Sequence, residues 1–172
     1  MKKGYVHVYT GNGKGKTTAA IGLGVRCAGN NSKVYMIQFM KGRKYCELVT
    51  LDKIDNFTYS QHGRDEFVNK DDPEQIDIDL AREGFTKAKE LIESNKFDMI
   101  ILDEINVAVD FNLIDLDEVL DLVENKPEGL ELVLTGRYAN KEIMKIADYV
   151  TEMLEIKHPY QKGVQARKGC DY

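Results

Sequence analysis

Residues 9–24 read YTGNGKGKTTAAIGLG. Glycines stand at 11, 13 and 15, and the stretch then turns apolar from Ala19 onward. Gly15-Lys16-Thr17 supplies the second half of G-x-x-x-x-G-K-[ST], a turn whose backbone N–H groups cradle phosphates. The first glycine of that pattern falls at position 10, which is Thr10. The flanks suit the motif, with a β-rich run at 5–9 before the turn and a helical pattern at 17–28 after it. In this reading Gly11, Gly13 and Gly15 bring amides toward phosphate oxygens, and the new helix adds its positive end. Lys16 supplies a cation, Lys14 a second one, and Thr17 a hydroxyl suited to Mg²⁺. A glycine turn holding nothing is the weaker reading, because loop, lysine, hydroxyl and flanks agree.

Working outward, strands alternate with helices to the end of the chain. VYMIQFM at 34–40 is almost continuously apolar, as in strands buried on both faces of a parallel sheet. A helix is expected at 48–54 and a short strand at 57–60. HGRDEFVNKDDPEQ reads as a loop. In the helix expected at 73–94, Ala81, Phe85, Ala88 and Ile92 share one face. FDMIILDE is a buried strand ending in acid, 115–124 a helix, and LELVLTGR another buried strand. Asn140 caps a helix through Ala147, and 150–156 alternates like an edge strand. The tail KHPYQKGVQARKGCDY shows no periodicity. This alternation predicts one α/β domain over 1–172, a three-layer αβα, RecA-like P-loop fold with a mainly parallel central sheet; the tail at 157–172 is separately expected near the site. Ligands in such sheets sit at the carboxyl ends of the strands.

The chain has 172 residues, 42% hydrophobic and 31% charged, with a net charge of −5. That balance argues against a general nucleic-acid binder. Met1-Lys2-Lys3 runs straight into β-rich residues, which predicts no signal peptide, and no stretch reaches transmembrane length. Cys27, Cys46 and Cys170 are scattered and argue against a zinc site or disulfide framework. A reduced, cytoplasmic protein with no membrane partner is expected.

Asp103-Glu104 follows an apolar strand, where P-loop proteins hold Mg²⁺ directly or through water; Asp103 could instead cap the next helix. Arg137 follows LVLTG at another strand end, within reach of a triphosphate or simply at the surface. Arg26 divides evenly between a solvated side chain and a nucleotide contact. His7 is expected to pack in the first strand. His62 is placed in loop, and His158 in the tail, at the surface or lining a pocket.

TGNGKGKTTAAIG, IQFMKG, ILDEIN, LVLTGR and KHPYQKGVQARKGCDY, in that order, resemble the P-loop type of ATP:cob(I)alamin (corrinoid) adenosyltransferase over nearly the whole chain. The resemblance implies that a corrinoid Co(I) attacks C5′ of ATP and that tripolyphosphate leaves whole, with the nucleotide laid backwards in the loop. It implies ATP and a corrinoid as substrates, Mg²⁺ as cofactor, a reductant flavoprotein as partner and a homodimer. By motif match residues 10–18, Asn12 and Thr18 among them, then carry the phosphate role, with Lys16 and Thr17 central. Glu104 matches the Mg²⁺-linked acid, with Asp103 beside it, and Arg26 matches an arginine placed near the nucleotide. Phe67 matches an aromatic that helps displace the lower axial ligand of cobalt. Asn69 stands where the family has Trp, and the chain contains no Trp, so Tyr59 or Tyr160 substitutes or the lower face closes differently. His158 is assigned to the corrinoid side. Longer relatives carry a covering segment before the loop, whereas nine residues precede Thr10 here. Cobalamin, cobinamide and cobyrinic acid diamide all remain open as substrates.

Three other readings compete. A RecA-like ATPase would release phosphate rather than tripolyphosphate. A nucleoside kinase would transfer the terminal phosphate and usually adds a cysteine-rich zinc lobe. An escort protein would bind corrinoid or nucleotide without chemistry.

Overall fold

The computed structural model describes residues 3–171; the reading of Met1-Lys2 lies outside them. Six strands form one sheet: β1 (Val6–Thr10), β2 (Val34–Phe39), β3 (Phe57–His62), β4 (Met99–Asp103), β5 (Glu131–Thr135) and β6 (Tyr149–Glu152). Their spatial order is β3-β2-β4-β5-β1-β6, and every neighbouring pair is parallel. The helices are α1 (Lys16–Gly29), α2 (Cys46–Leu51), α3 (Gln75–Glu93), α4 (Ile105–Asp110), α5 (Leu116–Glu124) and α6 (Lys141–Ile146), with a short 3₁₀ turn at Pro159–Lys162. The expected α/β fold with a parallel sheet is therefore present.

The two-residue period of the strands divides the core between two faces. Tyr35, Ile37, Phe39, Ile100, Leu102, Leu132 and Leu134 point to one side, against α3, α4, α5 and α6. Val34, Met36, Met99, Ile101 and Val133 point to the other, against α1 and α2. All six residues of β2 are buried, as are all five of β4 and of β5. That is why these three strands read as mostly apolar runs rather than as alternation.

Helix α1 packs onto the sheet with no room for a side chain at Gly24, where an added Cβ would stand 2.5 Å from Phe57 Cε2. Helix α3 opens on a reciprocal capping box between Glu74 and Asp77, and Arg64 donates to both of those carboxylates.

Several boundaries differ from the sequence reading. β1 includes Thr10, because its register with Glu152 continues the ladder one residue past Tyr9. α2 starts earlier and ends earlier than 48–54. β3 runs on to His62, which is buried rather than in loop. α4 went unread because six residues are too few to show a period. β6 is an edge strand as expected, but it spans Tyr149–Glu152 rather than 150–156, and all four of its residues are exposed, so its alternation does not mark a packed face. It is held by β1 and by the Tyr149 ring, which stacks on His7 with centroids 4.5 Å apart. His7 is thus packed in the first strand, and it also pairs with Glu131. Among the described residues, no helix is long and apolar enough to cross a membrane.

Candidate phosphate-binding site

The loops after β1, β2, β4 and β5 gather at the carboxyl edge of the sheet. The glycine loop crosses that edge under a tight constraint from β6. An added Cβ at Gly11 would stand 2.5 Å from the Met153 carbonyl oxygen, and one at Gly13 would stand 2.7 Å from that of Leu154. The Gly13 N–H donates to the Met153 carbonyl at 2.7 Å. Gly13 is therefore fixed to the end of β6, and its amide is not among those free to meet phosphate. Gly15, at φ 114°, turns the chain into α1. The first helical bond runs from Ala19 N–H to Gly15 C=O, leaving the N–H groups of Lys16, Thr17 and Thr18 directed out of the helix start.

Lys16 is buried, and its ammonium donates to the carbonyls of Gly11 and Gly13, both at 2.7 Å. Burial lowers its pKa, partly offset by Glu104. Thr17 Oγ1 donates to Asp103 Oδ1 at 2.8 Å, and Thr135 Oγ1 donates to the same oxygen at 2.7 Å. Asp103 Oδ2 accepts from Gln38 Nε2 at 3.1 Å and from the Lys41 ammonium at 2.7 Å. Asp103 is fully buried. Burial would raise its pKa, but Lys41 and the hydroxyl donors outweigh that and keep it low. Asp103 is thus a buried strand-end carboxylate, and the cap of the next helix is Glu104 instead.

Glu104 adopts a left-handed backbone, φ 66°, and donates its N–H to Thr135 Oγ1 at 3.0 Å. Desolvation and the neighbouring Asp103 raise its pKa, while Lys41, Lys16 and Arg137 pull against them. Arg137 is exposed and reaches the Asn12 carbonyl at 3.4 Å. Thr10 is buried, and its hydroxyl accepts the Ala139 N–H, tying the end of β1 to the β5–α6 turn. Lys14, in the loop, is engaged by the tail through the Asp171 carboxylate and the Cys170 carbonyl.

Lys16, Thr17, Asp103, Glu104 and Arg137 thus come together with the glycine loop. Arg26 does not join them: it is exposed in the last turn of α1, ten residues from Lys16 and so about 15 Å along the axis. The corrinoid-side residues lie in the 63–74 loop and the tail. Phe67 is 94% exposed. Asn69 is exposed and accepts the Asp71 N–H in a local turn. His158 accepts the Tyr160 N–H at the start of the 3₁₀ turn. Tyr59 spends its hydroxyl on Asp52, and Tyr160 is 72% exposed.

Lys41, Gln38, Thr135 and Asp171 were not singled out from the sequence. Lys41 had an available signal, since it follows an apolar strand just as Asp103 and Arg137 do.

The oxygen donors at Thr17, Asp103 and Glu104 suit a hard cation such as Mg²⁺. No group of three or more His, Cys, Asp or Glu placed to hold a metal occurs among the described residues. A metal here would draw further ligands from phosphate and water.

Comparison with known proteins adds to this geometry. Residues 2–172 match the family described as ATP:corrinoid adenosyltransferase BtuR/CobO/CobP. A corrinoid adenosyltransferase of Sinorhizobium sp is 35% identical, covering 99% of this chain and 81% of its own. The corrinoid adenosyltransferase of Escherichia coli K12 is 32% identical, covering 99% and 87%. Among solved structures, the cytoplasmic domain of the type VII secretion ATPase EccC from Thermomonospora curvata superposes with a TM-score of 0.58 at 16% identity. That match covers 88% of this chain but only 20% of the EccC chain, and it speaks to the fold alone. With both the family match and these relatives running essentially end to end, the chain belongs to the ATP:corrinoid adenosyltransferase family.

Proposed function

We propose that this protein transfers the 5′-deoxyadenosyl group of ATP to the Co(I) centre of a corrinoid and releases tripolyphosphate. The observation that carries the reading is the family match over residues 2–172. In the reaction the Co(I) electron pair forms a bond to C5′. The C5′–O5′ bond breaks, and its electrons leave on the tripolyphosphate. The nucleophile belongs to the substrate, so the protein's work is to grip the leaving group, stabilise its growing charge and align C5′ with cobalt.

The amides at the start of α1, Lys16 and Arg137 are suited to that grip. Lys16 now satisfies itself on two loop carbonyls, and phosphate oxygens are stronger acceptors for the same ammonium. Lys14 adds charge once the tail's carboxylate yields it. Thr17, Asp103 and Glu104 are the residues that would hold Mg²⁺, which when bound supplies a Lewis-acid charge to the polyphosphate oxygens. Phe67, wholly exposed on a loop pinned by Arg64 at one end, offers an aromatic face to the corrin side, with Asn69 and His158 as further contacts. A second copy of the chain and a flavoprotein that delivers electrons to cobalt complete the proposal.

The deciding experiment mixes the protein with Mg·ATP and chemically reduced cobalamin without oxygen. The expected result is a light-sensitive adenosylcobalamin spectrum together with one tripolyphosphate per turnover. Release of orthophosphate without a spectral change would instead support an ATPase. Lys16→Ala is expected to slow transfer by about 10²–10³-fold, the scale for losing one charge-stabilising donor.

A further inference from the structure

Lys41 lies outside the glycine motif, yet its ammonium stands 2.7 Å from Asp103 Oδ2 and 3.5 Å from Thr17 Oγ1. Its side chain is 14% exposed, against none for Asp103. Thr17 hydroxyl and strand-end carboxylate are the pair between which a P-loop site seats its divalent cation. A cation that belongs to the protein already stands there.

The backbone is built to put it there. Met40, directly before Lys41, has φ 58°, a left-handed conformation uncommon outside glycine. Its N–H is held by the His62 carbonyl at 2.9 Å. The end of β3 presses against the same turn: a Cβ on Gly63 would meet Lys41 N at 2.3 Å, and one on Gly42 would meet the Gly63 carbonyl at 2.4 Å. Gly42 and Gly63, with no room for a Cβ, let the ends of β2 and β3 pack directly on each other, and left-handed Met40 sets the direction in which Lys41 leaves β2. Tyr45 closes the outer side, with the ammonium 5.3 Å from its ring centre. Strain of this kind persists only where surrounding structure imposes it.

We infer that Lys41 is a resident cation at the metal position, which competes with Mg²⁺ for Asp103 and so keeps free metal out until nucleotide brings it. The inference rests on the proposed reaction for the identity of the metal. The physical basis is independent of it. A fully buried carboxylate needs a positive partner, and one carboxylate oxygen cannot serve an ammonium and a metal ion at full strength together. Phosphate oxygens alter the balance by supplying the ligands that the protein alone lacks.

The test uses Mn²⁺ as a spectroscopic probe, read by loss of its free EPR signal, with no nucleotide and no corrinoid present. Wild-type protein is expected to bind no stoichiometric Mn²⁺. Lys41→Met should bind one per chain, at least about tenfold more tightly, the size usual for coupling between two ligands of one site. Lys41→Arg keeps the charge and should resemble wild type, and Lys41→Met with Asp103→Asn should lose the gained ion. If Lys41→Met does not fold, Lys41→Gln replaces it. One tight Mn²⁺ on the wild type without nucleotide overturns the inference, as does a folded Lys41→Met or Lys41→Gln protein that gains none. Adenosyl transfer by the wild type alongside either result would leave the proposed reaction standing and remove only the role of Lys41.

Discussion

Asp103 accepts from Thr17, Thr135, Gln38 and Lys41, so one buried carboxylate gathers donors from α1, β5, β2 and the turn after β2. Asp103 and Lys16 were legible because each follows a rule of position: acid after a buried strand, lysine after a glycine turn. Lys41 and Gln38 lie 62 and 65 residues from Asp103 in the chain, and no local pattern reports which strand ends become neighbours. His62 makes the same point from another side. It was read as loop, but it ends β3, buried against α3, where a Cβ on Gly84 would stand 2.9 Å from its side chain. Burial lowers its pKa below the usual 6.5, with Lys87 adding to the shift and Glu83 opposing it. A folded-state pKa below the unfolded one means that the unfolded chain binds the extra proton first. The stability from neutral His62 is therefore complete above about pH 6.5 and falls as the pH drops from there toward the lowered folded value. Urea midpoints of wild type and His62→Gln should part in slope below pH 6.5, the wild type falling more steeply and the variant losing less stability per pH unit. An identical decline in both proteins would show that His62 does not titrate with folding.

At the scale of elements, α1 carries the motif on its first turn and the packing on its inner face. Gly22 and Gly24 look equivalent in IGLG, but the structure separates them. Gly22 is exposed, and an added Cβ there meets nothing within 4 Å. At Gly24 the same atom meets Phe57 Cε2 at 2.5 Å, Phe57 Cζ at 3.0 Å and Ile101 Cδ1 at 3.1 Å. Gly22→Ala should stabilise the protein by about 0.5–1 kcal/mol through helix propensity. Gly24→Ala should cost about 1–3 kcal/mol as the helix is pushed off the sheet. Chemical denaturation midpoints measure both, and matching signs would contradict the packing described for α1. Helix and strand types were largely readable because the periods differ, 3.6 against 2. The short α4 was not, since six residues give less than two helical turns, and neither were the ends of α2 and β3, where tertiary contacts rather than local signals set the limits.

Across the whole molecule, burial falls away from the centre of the sheet toward β6. β4 lies between β2 and β5, and all its residues are buried; β6 has β1 alone as partner, and all its residues are exposed. Yet the glycine loop is fastened to the exposed side: Gly13 donates to Met153 just beyond β6, and Met153 N–H donates to Thr10 at the end of β1. The glycine loop is thereby anchored to an exposed edge strand, which leaves it freer to adjust than Asp103, which ends a fully buried one. Native-state hydrogen exchange should resolve this gradient. Amides of β4 should exchange only through global unfolding, and those of β6 through local opening at least about 4 kcal/mol cheaper, or about a thousandfold faster. Mg·ATP should slow exchange in β6, because a ligand that fixes the loop also fixes the backbone to which Gly13 is bonded. If β6 is protected as strongly as β4 without nucleotide, its edge is covered in solution, and the loop's freedom to adjust has to come from the bonds within residues 11–15 instead.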